Sequence, residues 1–479
     1  MLLGFVILYL VVSIGIGLYA ATKVHNARDY IAAGRSLPLY IVMAMVFATW
    51  FGAETVLGIP ATFMEEDLAG LISDPFGASL CLILFGLFFA RKLYRMNLLT
   101  IGDFYRERYD RRVEVVTGIA IALSYLGWVS AQVTALGLVF NVLSDGVITQ
   151  QQGILIGAAV VLMYTLYGGM WSVALTTFFQ MIVIVLGLFY IAWLISDMTG
   201  GVAPVIEHAA SNAKFNFWPE LNAVAMVAFI SGLLTMGFGS IPQQDVFQRA
   251  NSSRNEHVAV WGTVLGGVAY FLFAAVPLFL AYSANLIDPD LAARWLTEDS
   301  QKLLPELVKG HLPLFAQVIF YGALLSVIMS TASGTLLAPS VTISENVLKG
   351  FVTRRKHMSE RKLLVMTRWV VAVFAVLVTL YALWSLEQET GIHQMVENAY
   401  KVTLVLAFVP LVAGLYWRRA STRGAYFAIA FGLATWLPME FLMPEGEGPL
   451  PPQFAGFLMA IAGMLIGSLS DRPRRPQPA

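Results

Sequence analysis

Long apolar blocks, most of about 20 residues or more, constrain this chain more than any other feature of its sequence. A helix needs roughly 20 apolar residues to cross a hydrocarbon core about 30 Å thick. Of the 479 residues, 58% are hydrophobic and only 13% charged, well outside the range of soluble domains. The pattern predicts an all-α polytopic membrane protein with thirteen transmembrane helices, near residues 2–22, 38–64, 70–90, 113–145, 151–169, 172–198, 222–244, 258–284, 312–347, 366–386, 395–416, 424–443 and 453–470.

Lys and Arg residues are unevenly distributed between the connections, although the formal net charge is zero. Alternate connections and the C-terminal tail hold 25 of the 30, including Arg249 and Arg254 after the seventh block. The other connections are acidic, as in "MEEDL" and "PEGEGP". Because positive loops stay in the cytoplasm, we expect the N-terminus outside and the C-terminus inside. No small-residue cleavage pattern follows the first block, so it is predicted to be a retained span.

Two of the predicted spans are interrupted by small residues followed by an Ile–Pro pair. The second contains "ATWFGAETVLGIP" and the seventh contains "TMGFGSIPQQDVFQ", five spans later. Gly and Pro can kink packed helices without any functional role. A matched pair of interruptions instead indicates inverted repeats, with a binding site at the unwound segments.

Glu54 lies inside the first of these interruptions. A carboxylate at mid-membrane costs about 2.5–3.5 kcal/mol on insertion scales, so it normally faces a polar interior. Two roles are equally consistent with the sequence: a structural hydrogen bond across the broken helix, or direct contact with a substrate.

Five hydroxyl residues lie within ten positions of the ninth span, in "SVIMSTASGT". Ser326, Ser330 and Ser333 share one helix face, and Thr331 and Thr335 lie beside it. Such hydroxyls can bond back to the helix backbone or allow close helix packing. They can also replace part of a cation's water shell, opposite the freed carbonyls of a broken helix.

The segment "STASGT" after "LLSVIM" resembles the serine/threonine sodium motif of the sodium/solute symporter family. The segments "DYIAAGRSLP", "TIGDFYRERYD", "YTLYGGMWSVALTTFFQ" and "SIPQQDVFQR" resemble the same family at the expected positions, and the closest likeness is to the choline and proline branches. The resemblance implies a LeuT-like fold with one leading helix, a five-plus-five inverted repeat and two trailing helices. The corresponding parts of a single transporter domain, 1–479, are 1–37, 38–200, 201–420 and 421–479.

For sodium, the resemblance implies a site on the second and ninth spans. It assigns the backbone carbonyls of Ala48, Phe51 and Val327 and the hydroxyls of Ser330 and Thr331 as ligands.

A second sodium site of some family members is altered in this chain. Where the family has an aspartate and a serine, this chain has Thr177 and Gly334. We therefore expect one co-transported sodium ion per substrate, and no other cofactor.

For the substrate, we expect a site between the broken helices, with candidate residues Trp50, Glu54, Thr55, Asp74, Trp128, Gln132, Gln243 and Gln244. Choline-type relatives hold a quaternary ammonium in an aromatic cage, by cation–π attraction. Trp50 matches one cage position, but the matching position on the seventh span is Gln243, which argues against choline. Trp128 could equally be core packing and Asp74 a helix cap.

Lys401 lies within the eleventh span, four residues after Glu397. The two side chains can pair as an intramembrane salt bridge, which is the favoured reading. The alternative is that Lys401 meets a substrate carboxylate or closes an outer gate.

The leading prediction is a sodium-coupled symporter that imports a zwitterion, an amino-acid-like solute or an organic cation. A proton-coupled transporter using Glu54 or Asp74 is the alternative, and a membrane sensor is a weaker one because only "RPRRPQPA" follows "GSLSD". The six histidines do not cluster and no "GxxxxGK[ST]" motif is present, so we expect neither an enzyme nor an ATP-driven pump. The expected partners are the solute, sodium and the lipid bilayer, without nucleic acid. The compact loops resemble those of bacterial members, which implies the inner membrane.

Overall fold

The computed structural model describes residues 2–22, 24, 27–349, 359–443, 448 and 450–471. The described chain is helical throughout, apart from one isolated backbone bridge between Leu37 and Ser253. The principal helices are α1 (Leu2–Ala21), α2 (Leu39–Trp50), α3 (Glu54–Glu65), α4 (Ala69–Arg95), α5 (Arg111–Leu143), α6 (Gln150–Met198), α7 (Ala223–Gly239), α8 (Gln244–Asn251), α9 (Glu256–Ile287), α10 (Leu314–Leu348), α11 (Glu360–Glu387), α12 (Ile392–Tyr416), α13 (Thr422–Leu442) and α14 (Pro452–Leu469).

Short helices connect these spans. They are Ala27–Ala32, Ile101–Arg108, Val202–Ser211, Pro289–Glu298 and Leu303–His311. The basic segment 350–358, the acidic stretch 444–447 and the tail from residue 472, all used above to orient the chain, lie outside the described residues.

Judged by length and composition, fewer helices of the described chain can cross a membrane than the thirteen expected. In the described chain, nine helices are long and apolar enough to cross a membrane, and two bent pairs raise the number to eleven. The predicted first and fifth spans coincide with the shorter apolar helices Ile7–Ala21 and Gln150–Met163. Both belong to longer helices, α1 with 20 residues and the part of α6 that precedes its turn at Gly169.

The chain bends at both predicted interruptions. The axes of α2 and α3 differ by 54°, and those of α7 and α8 by 44°. At the first bend Phe51 leaves the helical region with φ −82° and ψ 75°. Gly52 follows, where a β-carbon would lie 2.3 Å from a carboxylate oxygen of Glu54. A larger residue at position 52 would displace the Glu54 side chain from its place over the break.

Helix α10 forms the centre of the molecule. Every residue from Ala323 to Thr342 is buried, and the helix packs against α2, α5 and α6. α6 itself turns sharply at Gly169, whose φ of 50° is in the left-handed region. The hydroxyl-rich part of the sequence is therefore enclosed by other helices and does not face lipid.

Candidate functional site

The hydroxyls of the ninth predicted span meet the break between α2 and α3. Ser330 Oγ donates to the Ala48 carbonyl at 2.8 Å and lies 2.9 Å from the Val327 carbonyl. Thr331 Oγ1 donates to the same Ala48 carbonyl at 3.3 Å. All of these residues are fully buried. The structure thus brings together four of the five predicted sodium-binding residues.

Phe51 is the fifth of them and occupies the break itself. α2 ends at Trp50, so the carbonyls of its last turn lose the amide donors that a continuing helix would supply. The Phe51 ring packs on Phe47, Tyr270 and Phe273. Its carbonyl follows that of Ala48 by three residues, at the end of α2, where a cation could find backbone oxygen.

The remaining hydroxyls of α10 bond within their own helix. Ser333 donates to the Ser330 carbonyl at 3.2 Å, and Thr335 donates to the Thr331 carbonyl at 2.7 Å. Ser326 donates to the Gly322 carbonyl at 2.8 Å and also meets the Tyr9 hydroxyl of α1. Of these hydroxyls, those of Ser330 and Thr331 contact the broken helix, as a cation site would require. Ser333 and Thr335 bond back to the backbone of α10, which is the structural role.

Glu54 is held by two side chains of α5. Trp128 Nε1 donates to one carboxylate oxygen at 3.1 Å, and Gln132 Nε2 donates to the other at 2.6 Å. Gln132 also accepts a hydrogen bond from the Ala53 amide at 2.9 Å. A carboxylate offers about four acceptor positions, so these two bonds leave acceptor capacity for a further donor.

Asp74 joins the site through Tyr270 of α9. The Tyr270 hydroxyl bonds to an Asp74 carboxylate oxygen and lies 3.2 Å from Thr55 Oγ1. Thr55 in turn donates to the carbonyl of Trp50 at 3.2 Å. This chain of hydroxyls connects the carboxylate on α4 to the break between α2 and α3.

Aromatic rings cover the same region. The Trp50 ring lies 5.3 Å from Trp128 and 6.0 Å from Tyr400 of α12, and Trp128 lies 5.6 Å from Tyr400. Tyr125 stacks on the other side of Trp128 at 5.9 Å. Trp50 Nε1 and the Tyr400 hydroxyl are buried without a hydrogen-bond partner among the described residues. We call Trp50, Trp128 and Tyr400 the aromatic cluster.

The two glutamines after the second break separate. Gln243 Nε2 donates to Ser124 at 2.9 Å on α5, beside Tyr125, and its Oε1 has no partner among the described residues. Gln244 Oε1 instead accepts from the Ile101 amide at 2.9 Å, at the start of a connecting helix. Gln243 therefore connects α5 and α12 through Ser124 and Thr403, whereas Gln244 anchors a connection.

Three features were missed by sequence reasoning. Tyr270 and Tyr400 look like ordinary span aromatics, and only their packing reveals them. Arg249 was assigned to a cytoplasmic connection, but it is fully buried on α8. It does not belong to the exposed positive charge used to orient the chain.

Lys401 does pair with a carboxylate, but with a different one from that expected. Its Nζ lies 3.1 Å from Glu440 Oε1 on α13. Glu397 instead lines an open cavity between α3 and α12. Glu440 could not be found from helical spacing because it is 39 residues away in the chain.

This cavity, of about 680 Å³, begins one turn beyond Glu54 and extends along α3 to Glu65 and Glu66. Six of its lining residues are acidic and none is Lys or Arg; the acidic ones are Glu65, Glu66, Glu298, Asp299, Glu389 and Glu397. Arg294 pairs with Glu298 at 3.0 Å and Lys302 lies 3.5 Å from Asp299. Burial, followed by the neighbouring carboxylates, raises the pKa of Glu66 just beyond the end of α3. We call this space the acidic cavity.

Comparison with known proteins identifies the family of this chain. The profile of the Sodium:solute symporter family matches residues 30–432, most of the chain. The chain belongs to that family. It is an integral membrane protein, and the family's members are transporters and not enzymes.

Curated relatives of this symporter-family chain include two kinds of carrier. It is 26% identical over 463 residues to the human high affinity choline transporter 1, covering 90% of this chain and 75% of that one. It is 24% identical over 476 residues to the sodium/proline symporter of Escherichia coli (strain K12), covering 95% of this chain and 90% of that one.

Solved structures agree on the fold. A substrate-bound, outward-open Na⁺-coupled sialic acid symporter matches with a TM-score of 0.80 at 18% identity, over 98% of both chains. The inward-facing conformation of Mhp1 matches with a TM-score of 0.55 at 17% identity, over 90% of both. These likenesses support the expected LeuT-like architecture.

Proposed function

We propose that this protein is a sodium-coupled symporter that imports a small organic solute by alternating access, with one sodium ion per solute. The observation that carries the proposal is the convergence of the Ser330 and Thr331 hydroxyls on the Ala48 carbonyl. Together with the carbonyls of Val327 and Phe51, they offer five neutral oxygens at a buried helix break. A hard monovalent cation prefers such oxygen ligands over nitrogen or sulfur.

The solute route follows the order of residues along the broken helix. The acidic cavity reaches Gly58, Glu54 lies one turn earlier, and the sodium residues Ala48 and Phe51 lie one to two turns before that. A solute entering from the cavity would meet Glu54 and the aromatic cluster directly above the ion. Solute and sodium would then share the same unwound segment, which supplies the coupling.

The solute we favour carries a positive charge, as an organic cation or a zwitterion. Glu54 retains acceptor capacity, and the faces of Trp50, Trp128 and Tyr400 can stabilise a cation by about 0.5–2 kcal/mol per ring. The acidic cavity would raise the local concentration of cations at its mouth. Relatives named for choline and proline, a cation and a zwitterion, support this class.

The remaining expectations stay part of the proposal. They are thirteen spans with α1 and the first half of α6 crossing the bilayer, two inverted five-helix repeats at 38–200 and 201–420, and the N-terminus outside. The matched bends between α2 and α3 and between α7 and α8 support the repeat. Proline transporters of Bacillus subtilis and Escherichia coli among the relatives support the bacterial cytoplasmic (inner) membrane as the location.

A proton-coupled carrier is the second candidate, and one observation favours it. The hydroxyls of Tyr270 and Thr55 connect the Asp74 carboxylate to the helix break, as a proton pathway would require. Under this alternative, uptake would follow pH and ignore sodium.

The decisive experiment measures thermal stability of purified protein across a NaCl series with matched KCl. Ligand binding to the folded state stabilises by RT ln(1 + [L]/Kd), so specific sodium binding raises Tm in NaCl only. The Ser330→Ala/Thr331→Ala double variant should lose that difference. The matched control is Ser333→Ala/Thr335→Ala, which removes two equally buried hydroxyls that bond only within α10.

Equal melting of the wild type in the two salts would refute sodium coupling. Uptake driven by an imposed pH gradient would then test the second candidate. Loss of the sodium effect in the control pair as well would show that the site lies elsewhere on α10.

A further inference from the structure

Two cavities adjoin each other at the ends of α4 and α12, on the side of the molecule that we expect in the cytoplasm. The first has a volume of about 500 Å³ and is lined by Lys92, Arg108, Arg418 and the last turn of α12; we call it the basic cavity. The second has a volume of about 430 Å³ and lies between α4 and α9; we call it the apolar cavity. Lys92 and Tyr416 line both, so they form the boundary between the two spaces.

Positive charge prevails in this region. Among the described residues, neither cavity is lined by Asp or Glu. Glu256, at the start of α9, is engaged elsewhere, because Arg95 donates to its two carboxylate oxygens at 2.6 and 3.1 Å. The side chains of Arg91, Lys92 and Arg418 are exposed. The two cavities are therefore suited to an anionic group.

Arg108 has a structural role at the same place. Its Nε donates to the Gly414 carbonyl at 3.0 Å, and its Nη2 donates to the Ala420 carbonyl at 2.8 Å. These bonds occupy the guanidinium with the backbone at the end of α12. The charges that remain for a ligand of the basic cavity are those of Lys92 and Arg418.

The apolar cavity opens toward the bilayer. Leu87 and Phe88 of α4 are 50% and 52% exposed, and Trp261 of α9 is 41% exposed. The Tyr416 hydroxyl donates to the Phe88 carbonyl at 2.5 Å, and Lys92 Nζ lies 3.3 Å from the centre of the Tyr416 ring. An ammonium group is thus held where lipid-facing apolar surface meets the basic cavity.

We propose that these two cavities together bind one anionic phospholipid of the cytoplasmic leaflet. Its phosphate would lie in the basic cavity against Lys92 and Arg418, and one acyl chain would follow the apolar cavity past Phe88 and Trp261. Basic pockets between membrane helices on the cytoplasmic side suit such headgroups. A free phosphate would gain nothing from the apolar surface, and a neutral lipid would gain nothing from the two charges.

The lipid would connect the ends of α4, α9 and α12, which lie apart in the sequence. Within the described chain, none of the proposed sodium or solute residues lines either cavity. Binding of the lipid is therefore independent of sodium coupling, and the choice of leaflet follows from the proposed orientation.

The test follows Tm while dioleoyl-phosphatidylglycerol is titrated into purified, delipidated protein in a neutral detergent. The buffer contains KCl and no sodium. Because a ligand of the folded state raises Tm, phosphatidylglycerol should reach half of its full effect at a much lower lipid fraction than dioleoyl-phosphatidylcholine. Glycerol 3-phosphate carries the phosphate without acyl chains and should give no comparable shift at the same concentration.

The decisive variant is Lys92→Gln/Arg418→Gln, which removes both charges from the basic cavity. Its half-saturating fraction of phosphatidylglycerol should rise about thirtyfold, since each Lys or Arg near an anionic lipid contributes about fivefold. Arg418→Gln alone keeps the contact between Lys92 and Tyr416 and should raise this fraction about fivefold. The matched control is Arg361→Gln/Lys362→Gln, which removes two exposed charges at the start of α11 and should bind like the wild type.

Three results would overturn the lipid site. The first is an unchanged half-saturating fraction in both variants of the basic cavity. The second is an equal loss in the α11 control, which would show a general attraction between basic surface and anionic lipid. The third is a comparable Tm rise with glycerol 3-phosphate, which would show a site for free anions. Each can occur whether or not NaCl stabilises the wild type, so failure of this site leaves the proposed sodium coupling untouched.

Discussion

Replacing Glu54 by Gln separates the two roles that this carboxylate could have. The substitution keeps the shape of the side chain and removes its charge. If Glu54 binds a positively charged solute, the lost bond to a charged group costs about 1.5–3 kcal/mol, which is roughly ten- to hundredfold in KM. The amide nitrogen would also face the donors Trp128 Nε1 or Gln132 Nε2, which adds some loss of stability.

The assay is uptake of a cationic or zwitterionic solute by proteoliposomes, with Tm measured on the same preparations. The control is Trp128→Phe, which removes one donor to Glu54 and keeps both the carboxylate and an aromatic ring. That variant should lose about 1 kcal/mol of stability and raise KM less than Glu54→Gln does, because a phenyl ring still faces the solute. A Glu54→Gln protein with reduced Tm and unchanged KM would show that the carboxylate only holds the broken helix, and would refute its role in solute binding.

Three other outcomes are expected. Gly334→Ala should lower Tm because its methyl group meets the Arg249 guanidinium. Gly322→Ala on the same helix meets open space and should keep or slightly raise Tm, because Ala favours a helix more than Gly does. A similar fall of Tm in both variants would contradict the packing. Tyr400→Leu should raise KM for a cationic solute by about two- to thirtyfold through loss of one ring. Tyr400→Phe should retain most affinity, as competition binding would show. Because the pKa of Glu66 is raised, its charge is lost at a higher pH than that of an ordinary glutamate. KM for a cationic solute should therefore increase as pH falls through that range. Glu66→Gln should flatten this dependence of KM on pH.

The sequence determined the class of protein and the residues of its proposed ion site. Apolar block length indicates membrane helices because the bilayer thickness is fixed. Gly and Pro mark the bends because they change backbone conformation locally, and both bends occur where the sequence placed them. Ser330 and Thr331 were predicted as sodium ligands from a local motif, and they do meet the Ala48 carbonyl.

Only the tertiary structure decided which side chains complete the site. Lys401 pairs with Glu440 and not with Glu397, because helix packing, and not spacing along α12, brings the two charges together. In the sequence, Tyr270 and Tyr400 cannot be told from lipid-facing aromatic residues. In the structure both are buried, because α9 and α12 pack against α2 and α3. The sequence places Arg249 in a cytoplasmic connection, but in the structure it lies buried on α8. There it pairs with Asp245, and the missing side chain of Gly334 leaves space for the guanidinium. Pairings between distant segments depend on how helices pack, and that information is distributed over the whole chain.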